Sequence, residues 1–139
     1  MLGILAVVVI PRFAERSTFE TRGFVDQTVA SLQYARKVAV ASGRNVCVSA
    51  SSGGNTLTVT MATARGASSA CIGANVVSNP AAKWRTYSAV SYGSVLSATF
   101  GGDGSATAVP GFTVSGDSTY TIVIEPTGYV HCNPVTACE

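Results

Sequence analysis

The chain has 139 residues, of which 47% are apolar and 12% charged, with a net charge of +2. That length and apolar content supply the core of one domain without metals or partners. The abundance of Gly, Ser, Thr, Ala and Val suits turn-rich β structure better than an all-helical bundle. The nine Lys and Arg residues are scattered. No basic stripe of the kind that reads phosphates is present, so nucleic-acid binding is not expected.

The first segment is continuously apolar from Leu2 to Ile10, through Ile4, Leu5, Val7, Val8 and Val9, and is followed by Pro11. A bilayer span needs about 20 such residues, and a signal peptide needs a basic start and a small-residue cleavage site. Neither pattern is complete. From Pro11 to Ser42 the residues are good helix formers with no further proline. Charges at Arg12, Glu15, Arg16, Glu20, Arg22 and Asp26 share helix faces, as Arg22 does with Asp26, so this part is expected to face solvent or other subunits. Val25, Thr28, Leu32, Ala35 and Ala39 then recur at helical spacing as a narrow stripe that can lie on a sheet, with Gln33, Arg36 and Lys37 turned elsewhere. Ser42-Gly43 supplies the stop, because glycine takes the left-handed C′ conformation without a Cβ penalty.

A helix over 2–42 is about 60 Å long at 1.5 Å per residue. A globule of roughly 100 residues has a radius of gyration near 13 Å and a diameter on the order of 35 Å, so it covers only about half of such a helix. Residues 1–23 are therefore expected to protrude, and residues 24–139 to form the head. An apolar tip of this kind needs a bilayer or neighbouring helices to bury it. Pro11 marks a place where the helix can bend.

After Gly43 the period becomes alternating. "RNVCVSA" and "TLTVTMA" flank "SSGGN" and predict a hairpin with Val46, Val48, Leu57 and Val59 on one face and Asn45, Thr56, Thr58 and Thr60 on the other. Residues 63–86 lack clear periodicity and read as an excursion. "TYSAVSYGSVLSATF" and "ATAVPGFTVSG" have weaker strand character. "YTIVIEPTGYVHC" alternates at Tyr120, Ile122 and Ile124, turns at Glu125-Pro126-Thr127-Gly128 and returns through Tyr129, Val130 and His131. The expected fold class is α+β, a long N-terminal helix packed on a twisted antiparallel sheet.

Cys47, Cys71, Cys132 and Cys138 stand in polar, turn-rich surroundings without a C-x-x-C pair, which points to disulfides in an oxidising compartment. Four cysteines allow three pairings, and sequence does not choose among them. The short "NPVTA" loop favours Cys132 with Cys138, leaving Cys47 with Cys71 around the "SSGGN" turn.

Chemistry is sparse. His131 and Cys132 are neighbours on a strand and point to opposite faces, so the imidazole does not serve the thiol as a base. The spacing of His131, Cys132 and Cys138, with Cys71, matches no usual zinc pattern, and no metal is expected. "FGGDGSA" around Asp103 lacks the Gly-Lys-Ser/Thr end of a phosphate loop and the repeated acids of a calcium loop, and reads as a turn. Asp26, Asp103, Asp117 and Glu125 form no acidic pair, so neither catalysis nor a cofactor is expected. Trp84, Tyr87, Tyr92 and Tyr129 are candidates for a sugar platform, with core packing the more frequent fate of such residues.

"LGILAVVVIPRFAERSTFETRGF" resembles the N-terminal helix of type IV pilin-like proteins, and "YARKVAVASGRNV" resembles the end of that helix in the minor pilins and pseudopilins of the FimT/FimU/GspH group. The stretch from Leu2 to Val46 is most similar to the MshC minor pilins of the bacterial mannose-sensitive haemagglutinin (MSHA) pilus. "TIVIEPTGYV" resembles the family's late strand, turn and strand. The resemblance implies a non-catalytic minor pilin, held in the inner membrane by its helix with a periplasmic head before assembly and carried into an extracellular pilus afterwards. Implied partners are other major and minor pilins, the inner-membrane assembly machinery and the membrane itself. Leu2 to Pro11 would be the membrane and filament-core helix, and Arg12, Phe13, Glu15, Arg16 and Glu20 the subunit contacts.

Family precursors carry Gly-Phe-Thr-Leu-x-Glu, cut and N-methylated by a prepilin peptidase. That motif is absent, and with roughly ten apolar residues where about 20 are required the expectation is a chain that starts inside the span. Some FimT relatives bind DNA through basic residues near the C-terminus. The corresponding "GYVHCNPV" has Tyr129 and His131 where arginines are expected. Adhesion to a glycan through the 132–138 loop or the 63–86 excursion is the other alternative to a role in starting assembly.

Overall fold

Helix α1 runs unbroken over Gly3–Ser42 in the computed structural model, which describes residues 3–66, 71, 75–81 and 87–133, with the backbone alone over 3–15. The helix continues through Pro11, as an isolated proline permits at the cost of one backbone hydrogen bond. Its end is closed as expected: Gly43 adopts φ 62°, and the Arg44 N–H reaches back to the Ala39 carbonyl at 3.3 Å, the outer bond of a Schellman cap. Val25, Thr28, Leu32, Ala35 and Ala39 are all buried, so the predicted stripe is the packing face. Thr28 satisfies its hydroxyl by donating to the Phe24 carbonyl at 2.8 Å, which lets a polar residue sit in that stripe. Among the described residues no helix is long and apolar enough to cross a membrane.

Eight strands follow: β1 (Val46–Ala50), β2 (Leu57–Met61), β3 (Asn75–Val76), β4 (Ser91–Tyr92), β5 (Leu96–Phe100), β6 (Val109–Ser115), β7 (Thr119–Ile124) and β8 (Val130–Asn133). The α+β class with a helix on antiparallel structure holds, but the strands divide into two sheets where sequence suggested one. The first has order β3-β2-β1-β5 and the second β4-β6-β7-β8. The division has a local cause. After β5 the chain turns through Gly101–Ser105, keeps a single bridge from Phe100 to Ala106, and enters β6 through a register shift between Val109 and Phe112. Pro110 and Gly111 occupy that shift, where a missing donor and a missing side chain are tolerated.

Both predicted hairpins are present, with Val48 opposite Val59 and Ile122 opposite Cys132. Val46, Val48, Leu57 and Val59 face inward as expected, whereas Asn45, placed on the outer face by alternation, is buried. The inward faces of the two sheets meet α1 around Leu32, Phe100, Phe112, Leu96, Ile122 and Ile124, all fully enclosed. Two sets of backbone bonds lock the sheets together. Gly53 N–H donates to the Tyr92 carbonyl at 2.7 Å and Tyr92 N–H to the Gly54 carbonyl at 2.8 Å, tying the β1–β2 turn to β4. Ala106 N–H donates to the Pro126 carbonyl at 2.9 Å, tying the β5–β6 connection to the β7–β8 turn.

Candidate assembly interface

A polar clamp ties α1 to the β6–β7 turn. The Thr18 hydroxyl donates to the Asp117 carboxylate at 2.8 Å, and the Asp117 N–H donates to the Thr21 hydroxyl at 3.1 Å. Thr21 Oγ1 also donates to the Ser17 carbonyl at 3.0 Å. Gly116 lies against Thr21, and a Cβ there would fall 3.0 Å from Thr21 Cγ2, so only glycine allows this approach. One turn on, a Cβ on Gly23 would meet the Tyr87 hydroxyl at 2.6 Å, and Phe24 packs edge-on to Tyr87 with ring centroids 5.6 Å apart. Phe24 also lies 4.9 Å from the Tyr92 ring. Small residues and aromatic contacts thus seat the helix closely at this level.

Beside the clamp, Phe19 is 71% exposed, with exposed Arg16 and half-buried Glu20 on the neighbouring turns. Of the other residues expected to make the anchor and the subunit contacts, Ile4, Leu5, Val7, Val8, Val9, Ile10, Pro11, Arg12, Phe13 and Glu15 lie on the α1 backbone, and their side chains, like all of Leu2, fall outside the described residues. Sequence reading overlooked Thr18, Phe19, Thr21 and Asp117. An aromatic inside a charged helical run was the available signal for Phe19. Nothing local announces a threonine partner 99 residues away for Asp117.

Nearer its C-terminus, α1 is held by Arg36. Its Nε donates to the Gly104 carbonyl at 3.2 Å and its Nη2 to the Thr127 carbonyl at 3.0 Å. This corrects the expectation that Arg36 points away from the packing face. The fork of donors on a planar guanidinium spans two turns at once, one after β5 and one after β7. Asp103 shapes the first of these turns by accepting from Ser105 N–H at 3.0 Å and from its hydroxyl at 2.6 Å, and the same Ser105 bonds hold the Asp103 carboxyl below the usual carboxylate range.

Cys47 and Cys71 are bonded, with Cα atoms 6.1 Å apart, which fastens the excursion to the first sheet. Cys132 is also disulfide-bonded, while Cys138 lies outside the described residues. His131 and Cys132 alternate on β8, Cys132 buried and His131 half-buried, as the strand period requires. Tyr87 and Tyr92 belong to the core. Burial pushes the Tyr92 phenol up from its ordinary value, partly offset by its hydrogen bond with Thr28. Tyr129 alone among the described tyrosines named as sugar-platform candidates is exposed, stacked on His131 with ring centroids 5.2 Å apart. Trp84 lies outside the described residues. Among the described residues no three His, Cys, Asp or Glu side chains are grouped to hold a metal ion.

The family model described as type II transport protein GspH matches residues 25–128, the span from the start of the packing stripe to the β7–β8 turn. The chain belongs to the GspH family. GspH proteins are pseudopilins, structural components of type II secretion and type IV pilus systems that are anchored in the cell envelope and associate with other pilins and with the assembly machinery. The family match covers α1 from Val25 onward, the first sheet, and β4, β6 and β7 of the second. No curated protein and no solved structure matches the chain.

Proposed function

We propose that this GspH-family chain is a minor pilin of an MSHA-type type IV pilus that helps to start assembly or to form the tip complex. The observation that supports it is the unbroken α1 of 40 residues, about 60 Å of helix against a head on the order of 35 Å across. In this reading α1 protrudes up to the Thr18–Asp117 contact, short of the boundary at residue 23 expected from sequence because Thr21 is buried against the head. The apolar Leu2 to Ile10 shelter in the bilayer and then in the filament core, and Arg12, Phe13, Glu15, Arg16 and Glu20 contact neighbouring helices. The Thr18–Asp117–Thr21 clamp sets the angle between that rod and the head, so that head and helix dock as one body. Cys132 is paired with Cys138, closing a small loop at the end of β8.

The test is deletion of Leu2 to Ile10 from the pilus-producing cell's own copy. The head is expected to fold and to be missing from sheared pili. Pili that contain the truncated head at the level of the intact chain contradict the proposal.

DNA uptake and adhesion are weaker readings. Tyr129 and His131 stand where cations would be needed to meet phosphates, and neither a glycan nor DNA has a distinctive recognition group among the described residues of the excursion.

A further inference from the structure

Between α1 and the edge strand β8 lies a cavity of about 280 Å³, walled by Asp26, Val29 and Gln33 from the helix, by Tyr129 just before β8 and by His131 on it. Its chemistry is specific in three respects. One wall is aromatic: Tyr129, 57% exposed, lies nearly parallel to His131, with 19° between the ring planes. The opposite wall carries the exposed carboxylate of Asp26, which has no ion-pair partner among the described residues even though Arg22 stands one turn away on the same helix. Gln33, also exposed, adds an amide carbonyl about two turns further along. Among the described residues no lysine or arginine lines the groove.

We propose that this groove receives an arginine guanidinium presented by the helix of a neighbouring subunit; the proposal rests on the assembly reading above. A guanidinium is planar, weakly hydrated and always charged. It can stack on the Tyr129 ring while its edge donates to the Asp26 carboxylate and the Gln33 carbonyl. A lysine ammonium has no plane to stack, and a phosphate is repelled by Asp26. The supply of such groups is visible in this chain, where Arg16 and Arg22 stand exposed on the stretch of α1 at the exit from the head. A pilin of the same architecture placed alongside offers arginines from the corresponding part of its helix. The groove would then give the head a say in which neighbour it accepts.

The full chain, held in micelles of a sugar-free zwitterionic detergent, is titrated with N-acetyl-argininamide while its amide resonances are followed. N-acetyl-citrullinamide, the neutral isostere, and glucose are titrated in parallel. Saturable shifts are expected at Asp26, Tyr129 and His131 with a Kd on the order of 10 mM, as one cation–π contact and one exposed ion pair allow. Asp26→Asn and Tyr129→Ala, both at exposed positions, should each weaken binding at least about fivefold, the scale of roughly 1 kcal/mol, with the remaining spectrum unchanged. Equal shifts with citrullinamide, a response to glucose in place of argininamide, no saturable shift, or binding that survives Tyr129→Ala overturns the proposal. The two readings fail separately. Absent arginine binding, with the Leu2 to Ile10 deletion still blocking incorporation, removes the groove alone, whereas a truncated head that enters pili removes the assembly reading and leaves the titration standing.

Discussion

The Arg36 guanidinium donates to the Gly104 carbonyl at 3.2 Å, across 68 positions of sequence, and so fastens α1 to the turn after β5. A second bond from the same group, to the Thr127 carbonyl at 3.0 Å, fastens it to the turn after β7. Because one charged donor serves a half-buried carbonyl at Gly104 and an exposed one at Thr127, Arg36→Ala is expected to cost about 1–2 kcal/mol. Arg36→Lys should restore less than half of that, since one ammonium on a flexible stem does not span both carbonyls in a fixed fork. Urea unfolding midpoints of the three proteins check the ranking; a lysine variant as stable as the parent contradicts it.

Gly53 and Gly128 have nearly the same backbone conformation, φ 77° and φ 78°, in very different surroundings. A Cβ on Gly53 meets nothing within 4 Å, whereas on Gly128 it would run into the Gly104 carbonyl and lie 2.7 Å from Arg36 Nε. Gly53→Ala should therefore show only the conformational cost, about 1 kcal/mol, and Gly128→Ala at least about 2 kcal/mol more through the displaced Arg36. Thermal unfolding of both variants, alone and in an Arg36→Ala background, separates the two causes. The excess cost of Gly128→Ala is expected to shrink in that background.

The Cys47–Cys71 bond closes a loop of 24 positions. By chain entropy its loss costs about 3 kcal/mol. The double substitution Cys47→Ala with Cys71→Ala is expected to lower the denaturation midpoint by that amount while leaving the second sheet's hydrogen-exchange pattern in place. Peptide mapping without reduction should recover the two cysteines in one linked fragment.

Tyr92 gives a pH dependence with a definite sign. Its phenol is raised above the ordinary value of 10.0 by burial, so the folded state holds the proton more tightly than the unfolded state does. The associated stability is complete below that ordinary value and is lost as pH climbs through the higher folded pKa. Unfolding free energies measured from about pH 8 upward should fall beyond about pH 10. Tyr92→Phe should flatten that fall; an unchanged alkaline limb would place its origin elsewhere.

Much of this was legible from local pattern. The stripe from Val25 to Ala39, the glycine stop at Gly43 and the hairpins on either side of "SSGGN" and "EPTG" follow from periods of 3.6 and 2 and from turn chemistry, and the burial of Tyr87 and Tyr92 is the usual fate of such aromatics, which Tyr129 does not share. What escaped depends on distant partners. That β5 pairs with β1 and not with its sequence neighbour β6 is decided by a turn and a bulge whose effect on the ladder no single window shows. Arg36 has the helical position of a solvated cation and becomes a fastener only because two turns from different sheets converge on it. The exit clamp escaped for the same reason, since Thr18 and Thr21 are ordinary helix residues until Asp117 arrives. The groove at β8 required knowing that Tyr129 stays exposed beside α1, which alternation along the strand predicts for the face but not for the neighbour.

The central claim is that the first part of α1 reaches beyond the head and is sheltered by lipid or by other subunits. A photo-crosslinking amino acid placed at Ile4 or Val8 in pilus-producing cells reports what that segment touches. Crosslinks to other pilins, or to lipid before assembly, are the predicted products. Crosslinks confined to the chain's own head, in place of these, would contradict it.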